Sequence, residues 1–329
     1  MKQIIILLSI MSLLFSSCME FSNTDTTIQL TLQTKMKTML DEMQTEIKAK
    51  QIVVIVIDSK TGEIISLINS NEASSENIAV KYLFEPGSII KPITLALLLD
   101  KGVVKPQDMV NGHNGRFKIG KKVIIDKEKF DYISAEDVIV YSSNVGIVQL
   151  AQKLSGTEFH NGLKKFGFSQ HSIPSSEKLN IEIYKATCSY GYGMKSNLMQ
   201  LVQAYNVFNN NGKSILPETP QIIKSSTAKK MKNILIKTVN QGTAKNAKTS
   251  GLIIGGKTGS SHIVEKGHYI EKYNTFFIGF VNDLKNNKYT IGVLVSQPKN
   301  SNYAAQTAVP VFKKAVDVML KNGYLIANE

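Results

Sequence analysis

The feature that most constrains the fold is a long apolar segment that opens on a turn. Pro86-Gly87 is a turn dipeptide, and nearly every residue from Ile89 to Leu99 is apolar. A segment with no polar face predicts a helix that is buried on all sides. Gly102 is where that helix is expected to end. The rest of the chain must therefore pack around this helix.

Two polar side chains, Ser88 and Lys91, lie at the start of this helix. They are three residues apart, so they share a helix face. Burial disfavours a charged amine, so the pKa of Lys91 is expected to fall, and its neutral amine could accept the Ser88 proton. Free N–H groups of the first turn could face a developing oxyanion. The alternative is a helix cap with a solvated lysine, which we expect for the same spacing at Ser175 and Lys178.

Composition indicates a globular protein with a diffuse positive charge. The 329 residues are 43% hydrophobic and 20% charged, with a net charge of +13. The lysines are scattered, which argues against a nucleic-acid groove and favours a field suited to anionic lipids or an anionic polymer. The two cysteines and five histidines show no metal-ligand spacing. We therefore expect no nucleic-acid partner, no metal and no cofactor.

The N-terminus is typical of an export signal. Lys2 precedes an apolar run from Ile4 to Phe15, which is too short to span a bilayer comfortably, and Ser16-Ser17-Cys18 follows. This predicts a lipoprotein-type signal peptide over residues 1–18, lipidation of Cys18 and a tether over residues 19–27. An ordinary signal peptide or an uncleaved anchor is the alternative. The expected location is the cell envelope, membrane-anchored and facing the periplasm or exterior.

Hydrophobic periodicity places strands at both ends of the chain and helices between them. Strands are predicted at 52–57, 63–68, 252–259, 274–281 and 289–296, with short strands near Phe117 and Val123 in an irregular stretch. Helices are predicted at 28–50, 135–140 with Ser134 as cap, 145–154, 158–166, 197–209 with Ser196 as cap, 226–240 and 304–320. Residues 69–80 are expected to be a linker. This order predicts an α/β (α+β) fold, with one sheet from both chain ends and an inserted helical subdomain.

A polar Ser142-Ser-Asn144 interrupts two helical segments. The Ser142 hydroxyl could relay a proton between a nucleophile, its base and a leaving amine. The Asn144 amide could hold a substrate peptide group, because it carries both a donor and an acceptor. Serine and asparagine at a helix junction are also ordinary caps, which is the alternative.

A second polar group, Lys257-Thr-Gly-Ser260, ends an apolar strand. The lysine supplies positive charge, and Thr258 and Ser260 supply hydrogen bonds, so the group suits a carboxylate. Gly259 lets the strand lie close to another backbone. The Ser260 N–H could complete an oxyanion hole. A purely structural strand end is the alternative.

The order Ser-x-x-Lys, Ser-x-Asn, Lys-Thr-Gly is found in penicillin-interacting enzymes. The chain resembles the transpeptidase domain of class B penicillin-binding proteins over roughly residues 28–322. The matching stretches are Phe84-Glu-Pro-Gly-Ser-x-x-Lys-Pro92, Ser142-Ser-Asn-Val-Gly146, Tyr190-Gly-Tyr-Gly193, Gln241-Gly-Thr-Ala244 and Gly256-Lys-Thr-Gly259. The resemblance implies a β-lactamase/transpeptidase-like fold with an antiparallel sheet, forming one domain over residues 28–325.

The resemblance also implies roles for the singled-out residues. Ser88 would be the acylated nucleophile, Lys91 its general base and Ser142 a proton relay. Substrate would be bound by Asn144, Lys257, Thr258, Gly259 and Ser260. The chain departs from the family pattern in having Ser260 where threonine is usual. It also lacks the large N-terminal pedestal domain, which puts the reach to the cell wall in doubt.

The implied activity is that of a peptidoglycan D,D-transpeptidase. Its partners would be stem peptides, with a D-Ala-D-Ala donor and an amine acceptor, and β-lactams that acylate Ser88. Two alternatives keep the fold: a D,D-carboxypeptidase or a β-lactamase, in which water is the acceptor. A non-catalytic, wall-binding or β-lactam-sensing lipoprotein is the alternative from another class.

Overall fold

The computed structural model describes residues 30–71, 75–168, 172–215 and 221–327. The expected signal peptide, Cys18 and the tether lie outside these residues. Among the described residues, none of the helices combines the length and apolar character that crossing a bilayer requires.

The described strands and helices are numbered here in chain order. The strands are β1 (Gln51–Asp58), β2 (Ile64–Asn69), β3 (Met109–Asn111), β4 (Arg116–Ile119), β5 (Lys122–Ile125), β6 (Tyr132–Ser134), β7 (Ile253–Glu265), β8 (His268–Asn282) and β9 (Lys288–Ser296). The helices are α1 (Leu30–Ile47), α2 (Ser75–Lys81), α3 (Lys91–Lys101), α4 (Ala135–Val140), α5 (Asn144–Ala151), α6 (Gly156–Lys165), α7 (Ser176–Leu179), α8 (Glu182–Ser189), α9 (Leu198–Asn209), α10 (Ser225–Gln241) and α11 (Ala308–Lys321).

One antiparallel sheet joins the two ends of the chain. Among the described residues it has five strands in the order β2-β1-β9-β8-β7. Strand β1 pairs with β9 along its whole length, from Gln51 opposite Ser296 to Asp58 opposite Tyr289. Residues 52–57 of β1 are fully buried because helices cover both faces of the sheet. The predicted fold class and the sheet built from both chain ends are confirmed.

Helix α3 lies within one of the two hydrophobic clusters that flank the sheet. Ile93, Leu95 and Leu98 are fully buried in that cluster. The helix ends at Gly102, which adopts the left-handed conformation with φ of 80°. The predicted buried helix and its stop are both confirmed.

Several local expectations need correction. The expected linker over 69–80 contains helix α2, and helices α7 and α8 were not predicted. The cap of α9 is Asn197 rather than Ser196, because the Asn197 side chain accepts a hydrogen bond from Gln200 N at 2.8 Å. Ser196 instead pairs with Phe84 in an isolated β-bridge. Strand β7 continues to Glu265, beyond the predicted end at 259, because it forms a long hairpin with β8.

The excursion between α3 and α4 is more ordered than its sequence suggests. The short strands predicted near Phe117 and Val123 are present as β4 and β5, which pair with each other as a hairpin, and β3 pairs with β6. Helix α4 has the predicted bounds, and Ser134 caps it by accepting a hydrogen bond from Asp137 N at 3.2 Å. This excursion brings residue 126 to the beginning of α5.

Candidate active site

Ser88 lies on a single 3-10 turn, Gly87–Ile90, that leads directly into α3. The turn is fixed by close contact with Gly191. The Gly87 N–H donates to the Gly191 carbonyl at 3.1 Å, and a Cβ on Gly191 would lie 2.1 Å from the Gly87 oxygen. The Ser88 side chain is half-buried. This packing fixes the backbone that carries the Ser88 side chain.

Lys91 is fully buried and its amine bonds to Ser142. The amine donates to the Ser142 carbonyl at 2.6 Å and lies 3.2 Å from the Ser142 hydroxyl. Burial lowers the pKa of Lys91 to about 7, although the negative charge of Asp126 acts to raise it. The predicted fall of this pKa is confirmed. Near neutral pH, a large fraction of the Lys91 amine is therefore uncharged and can accept a proton.

The Ser142–Asn144 segment divides its roles among three residues. Ser143 is the cap of α5, accepting a hydrogen bond from Gly146 N at 2.8 Å, so the cap interpretation does not apply to Ser142. Ser142 adopts a left-handed backbone with φ of 65°, which is strained for a residue with a Cβ. The Asn144 amide donates to the Ile125 carbonyl at 2.8 Å. The strained backbone places the Ser142 hydroxyl on the Lys91 amine.

Asp126 forms hydrogen bonds that fix the Ser142–Asn144 segment in place. No motif in the sequence indicates this role. Its carboxylate accepts hydrogen bonds from the Ser143 hydroxyl at 2.5 Å, from Val145 N at 3.1 Å and from Asn144 N. A carboxylate at the first turn of a helix satisfies free N–H groups and complements the helix dipole. No short spacing in the sequence joins residue 126 to residue 144, so only the fold reveals the contact.

The Lys257–Ser260 segment forms one wall of the site, and the Ser88 turn and the Ser142–Asn144 segment form the other. Lys257 is fully buried; burial holds the pKa of its amine well below the usual value, and the nearby Lys91 amine lowers that pKa further. The Thr258 hydroxyl bonds to the Thr243 hydroxyl at 2.9 Å. A Cβ on Gly259 would lie 2.9 Å from the Ile89 side chain, so the strand lies directly against the Ser88 turn.

A cleft of about 540 Å³ separates these two walls. The predicted residues that line it are Ser88, Ser142, Asn144, Thr258, Gly259 and Ser260. Lys91 and Lys257 are buried behind these residues. Across the cleft mouth, the Lys127 amine lies 4.1 Å from the centre of the Tyr303 ring, a contact that the sequence did not indicate. In the described part of the chain, no group of His, Cys, Asp and Glu side chains could hold a metal ion.

The chain matches a known family over most of its length. Residues 52–317 match the family described as penicillin binding protein transpeptidase domain. The chain belongs to this family. The match includes the Ser88 turn, the Ser142 segment and the Lys257 strand, so all three parts of the cleft lie within the penicillin-binding protein transpeptidase domain.

Relatives and solved structures of this transpeptidase family share most of the chain. "Probable peptidoglycan D,D-transpeptidase PenA" of Neisseria flavescens is 32% identical over 302 residues, covering 82% of this chain and 75% of the relative. The peptidoglycan D,D-transpeptidase FtsI of Buchnera aphidicola is 28% identical, covering 88% of this chain and 56% of the relative. The apo transpeptidase domain of Burkholderia pseudomallei penicillin-binding protein 3 has a TM-score of 0.82 at 28% identity, covering 92% of this chain and 97% of that one. This chain therefore covers more than half of the length of each relative and nearly all of the solved domain.

Proposed function

We propose that this chain is a serine D,D-transpeptidase that cross-links peptidoglycan stem peptides. The observation that carries the proposal is the buried Lys91 amine, with its lowered pKa, in contact with Ser142 and one helical turn from Ser88. A base that is partly neutral near pH 7 is what a serine nucleophile needs. The names of the relatives support D-Ala-D-Ala peptides as the donor substrate.

In the proposed acylation, the Ser88 oxygen attacks the carbonyl carbon of the D-Ala-D-Ala peptide bond. The Lys91 amine takes the hydroxyl proton, and Ser142 passes a proton on to the leaving nitrogen. The carbon–nitrogen bond breaks, an ester to Ser88 forms, and D-Ala leaves as an amine. Deacylation runs the same path in reverse, with an acceptor amine attacking the ester.

The opposite wall would bind charge in both steps. The N–H groups of Ser88 and Ser260 would form the oxyanion hole, and losing one such donor typically costs about 3–4 kcal/mol of transition-state stabilisation. The donor carboxylate would be held by Lys257, Thr258 and Ser260. An arriving carboxylate favours protonation of Lys257, and the resulting positive charge favours a neutral Lys91. Carboxylate binding would thereby prepare the base.

We also propose that the protein is tethered in the cell envelope. The support is the apolar run from Ile4 to Phe15, followed by small residues and Cys18, which would carry the lipid. Residues 19–27 would then link the anchor to the domain. Mass spectrometry of the membrane fraction would show a diacylglyceryl-modified Cys18 at the mature N-terminus, and a Cys18→Ala chain would lose it. An unmodified Cys18 in the mature protein would contradict lipidation.

The function is tested by the intact mass of the protein after brief exposure to penicillin, beside a Ser88→Ala variant. We expect a stable adduct on the natural chain alone. An adduct on both proteins would overturn Ser88 as nucleophile. Consumption of the drug without an adduct would indicate a β-lactamase, and an intact drug without an adduct would indicate a binding protein. Product analysis of a D-Ala-D-Ala donor with and without an amine acceptor would separate transpeptidase from carboxypeptidase.

A further inference from the structure

The segment that leads into the Ser88 turn pairs with a second segment of the chain at two points. Phe84 and Ser196 exchange both of their backbone hydrogen bonds, each at 2.9 Å, in the isolated β-bridge. Further along, the Gly87 N–H donates to the Gly191 carbonyl at 3.1 Å. The two segments are therefore joined by backbone contacts on either side of the two residues that separate Phe84 from Gly87.

Between these two points the backbone alone does not complete the pairing. Pro86 has no N–H, so it cannot donate a hydrogen bond to the facing segment. The Glu85 side chain makes a contact there instead, because its carboxylate accepts a hydrogen bond from Gly193 N at 2.8 Å. A side chain thus supplies a link between the segments that the backbone of residue 86 cannot supply.

The second oxygen of the Glu85 carboxylate reaches a third segment. It accepts a hydrogen bond from the Tyr269 hydroxyl at 2.9 Å. Tyr269 lies on the part of β8 that pairs with β7 alone, since the pairing of β8 with β9 begins at Asn274. One carboxylate therefore joins the segment of the Ser88 turn, the Gly191 turn (residues 190–193) and the β7–β8 hairpin.

Both oxygens of Glu85 are bound by neutral donors. Lys195 and Lys266 line the same cavity of about 610 Å³ as Glu85, yet neither forms an ion pair with it. Hydrogen bonds to a charged acceptor are shorter and stronger than those between two neutral groups. The negative charge of Glu85 is therefore used to hold a backbone N–H and a hydroxyl in place.

Glu85 lies outside the space where the reaction would take place. Among the described residues, those that line the active-site cleft include Ser88, Ser142 and Thr258 but not Glu85. Glu85 lines the separate cavity behind the Ser88 turn. It can therefore influence the reaction only through the position of that turn.

We propose that Glu85 is a positioning residue for the Ser88 nucleophile, and that the Tyr269 hydroxyl keeps the Glu85 carboxylate in place. The inference deepens the proposed function and rests on it, because Ser88 is the acylated residue of that function. Without the carboxylate, the Ser88 turn loses one of its links to the Gly191 turn. A misplacement of about 1 Å can slow a reaction about a hundredfold. The chemical step should therefore slow, whereas binding should not weaken.

The test separates the binding of penicillin from its reaction with Ser88. Acylation rates of the full chain over a range of drug concentrations give the dissociation constant of the first complex and the rate constant k2 of acylation. In Glu85→Ala we expect k2 to fall about twentyfold or more, with the dissociation constant within about twofold of its natural value. Only the protein that forms an adduct is counted, so a loss of folded protein does not mimic this result.

Two further variants test the hydrogen bonds themselves. Glu85→Gln keeps an oxygen for Gly193 N, and its amide can donate to the Tyr269 oxygen, so k2 should stay within about threefold of its natural value. Tyr269→Phe removes one of the two donors and should lower k2 about threefold to tenfold. Should Glu85→Ala fail to fold, Tyr269→Phe decides: this fall in k2 would support the proposal, and an unchanged k2 would overturn it.

Glu265→Ala is the matched control. Glu265 is exposed and lines the same cavity, but it lies at the end of β7 and should leave k2 unchanged. Equal k2 values in Glu85→Ala and Glu265→Ala would overturn the proposal. So would a loss confined to the dissociation constant, or a Glu85→Gln variant as slow as Glu85→Ala.

Hydrogen–deuterium exchange measures the same contacts without chemistry. In Glu85→Ala, peptides that cover residues 84–90 and 190–196 should exchange about tenfold faster or more, and Glu85→Gln should restore the natural rates. Faster exchange in Glu85→Ala, together with a natural chain that penicillin does not acylate, would overturn the proposed function alone. Acylation of the natural chain, with exchange and k2 both unchanged in Glu85→Ala, would overturn this inference alone.

Discussion

The pKa of Lys91 stays low because its buried amine bonds to neutral oxygens and not directly to a carboxylate. Asp126 contributes to the electrostatics around the amine, yet its carboxylate bonds to Ser143 and to the N–H groups that open α5. The Lys91 amine bonds instead to neutral oxygens of Ser142. A direct carboxylate partner would hold the lysine charged, whereas neutral acceptors leave burial to dominate its pKa.

The acylation rate is expected to follow the protonation of Lys91. Since burial lowers its pKa to about 7, the neutral amine is lost as pH falls, and the rate should drop about tenfold per pH unit below 6. The second-order rate constant for penicillin acylation, measured between pH 5 and 9, would show one acid limb with a midpoint near 7. A rate independent of pH over this range would contradict Lys91 as the base.

Asp126→Asn should move that limb to lower pH. The charge of Asp126 acts to raise the pKa of Lys91, and its removal lets the pKa fall further, while asparagine still offers an oxygen to cap α5. The pH profile of penicillin acylation is again the measurement. Asp131→Asn, an exposed residue of the same loop, is the control and should leave the midpoint in place. A midpoint that rises in Asp126→Asn would rule out this electrostatic role.

At the scale of elements, the site depends on three backbones that touch: the Ser88 turn, the Gly191 turn and strand β7. Gly191 packs on Gly87, and Gly259 packs on Ile89, at distances that leave no room for a side chain. These contacts hold the Ser88 turn between the Gly191 turn and strand β7. Glycine at positions 191 and 259 is what permits this close approach.

Gly191→Ala is expected to slow acylation strongly while the chain still folds. The new Cβ would lie 2.1 Å from the Gly87 oxygen, which forces the Ser88 turn to move. We expect penicillin acylation to slow at least a hundredfold. Gly102→Ala is the matched control: it has a similar positive φ but nothing within 4 Å, so it should lose some stability and retain acylation. Equal acylation by the two variants would contradict the packing argument.

How much of this was predictable varies with the element. The all-apolar β1 and α3 were predicted well, because a continuous run of apolar residues fixes burial without knowledge of partners. The extension of β7 and the link from Asp126 to α5 were not, because they depend on contacts between distant residues in polar segments. The motif residues themselves were found by their spacing, whereas the atoms that position them were visible only in the fold.

For the molecule as a whole, the two buried lysines of the candidate active site lower the free energy of unfolding near neutral pH. Lys91 and Lys257 are both fully buried, and neither forms an ion pair with a described carboxylate. Their folded-state pKa values are lowered by burial, so folding near neutral pH requires release of protons that the unfolded chain would keep. A catalytic base and a stable core make opposite demands on the same side chain.

Stability should therefore rise with pH between 7 and 9. Unfolded lysine keeps its proton to about pH 10.5, whereas folded Lys91 loses it near 7, so in this interval the unfolded state binds more protons. The term from Lys91 amounts to about 2 kcal/mol. Urea unfolding at pH 7 and 9 measures it, and Lys91→Met should show a rise smaller by about that amount. An identical rise in the variant would show that Lys91 is not the source.

The position of β9 has a consequence for how the molecule is made. This strand lies at the centre of the sheet, between β1 and β8, yet it is the last of the described strands along the chain. Until β9 is available for pairing, β1 has no partner on that side, since Gln51 pairs with Ser296. Pairing across so much sequence is entropically slow. The sheet therefore closes only once residues up to Ser296 are available to fold, and until then the chain has exposed strand edges that must be kept from aggregating.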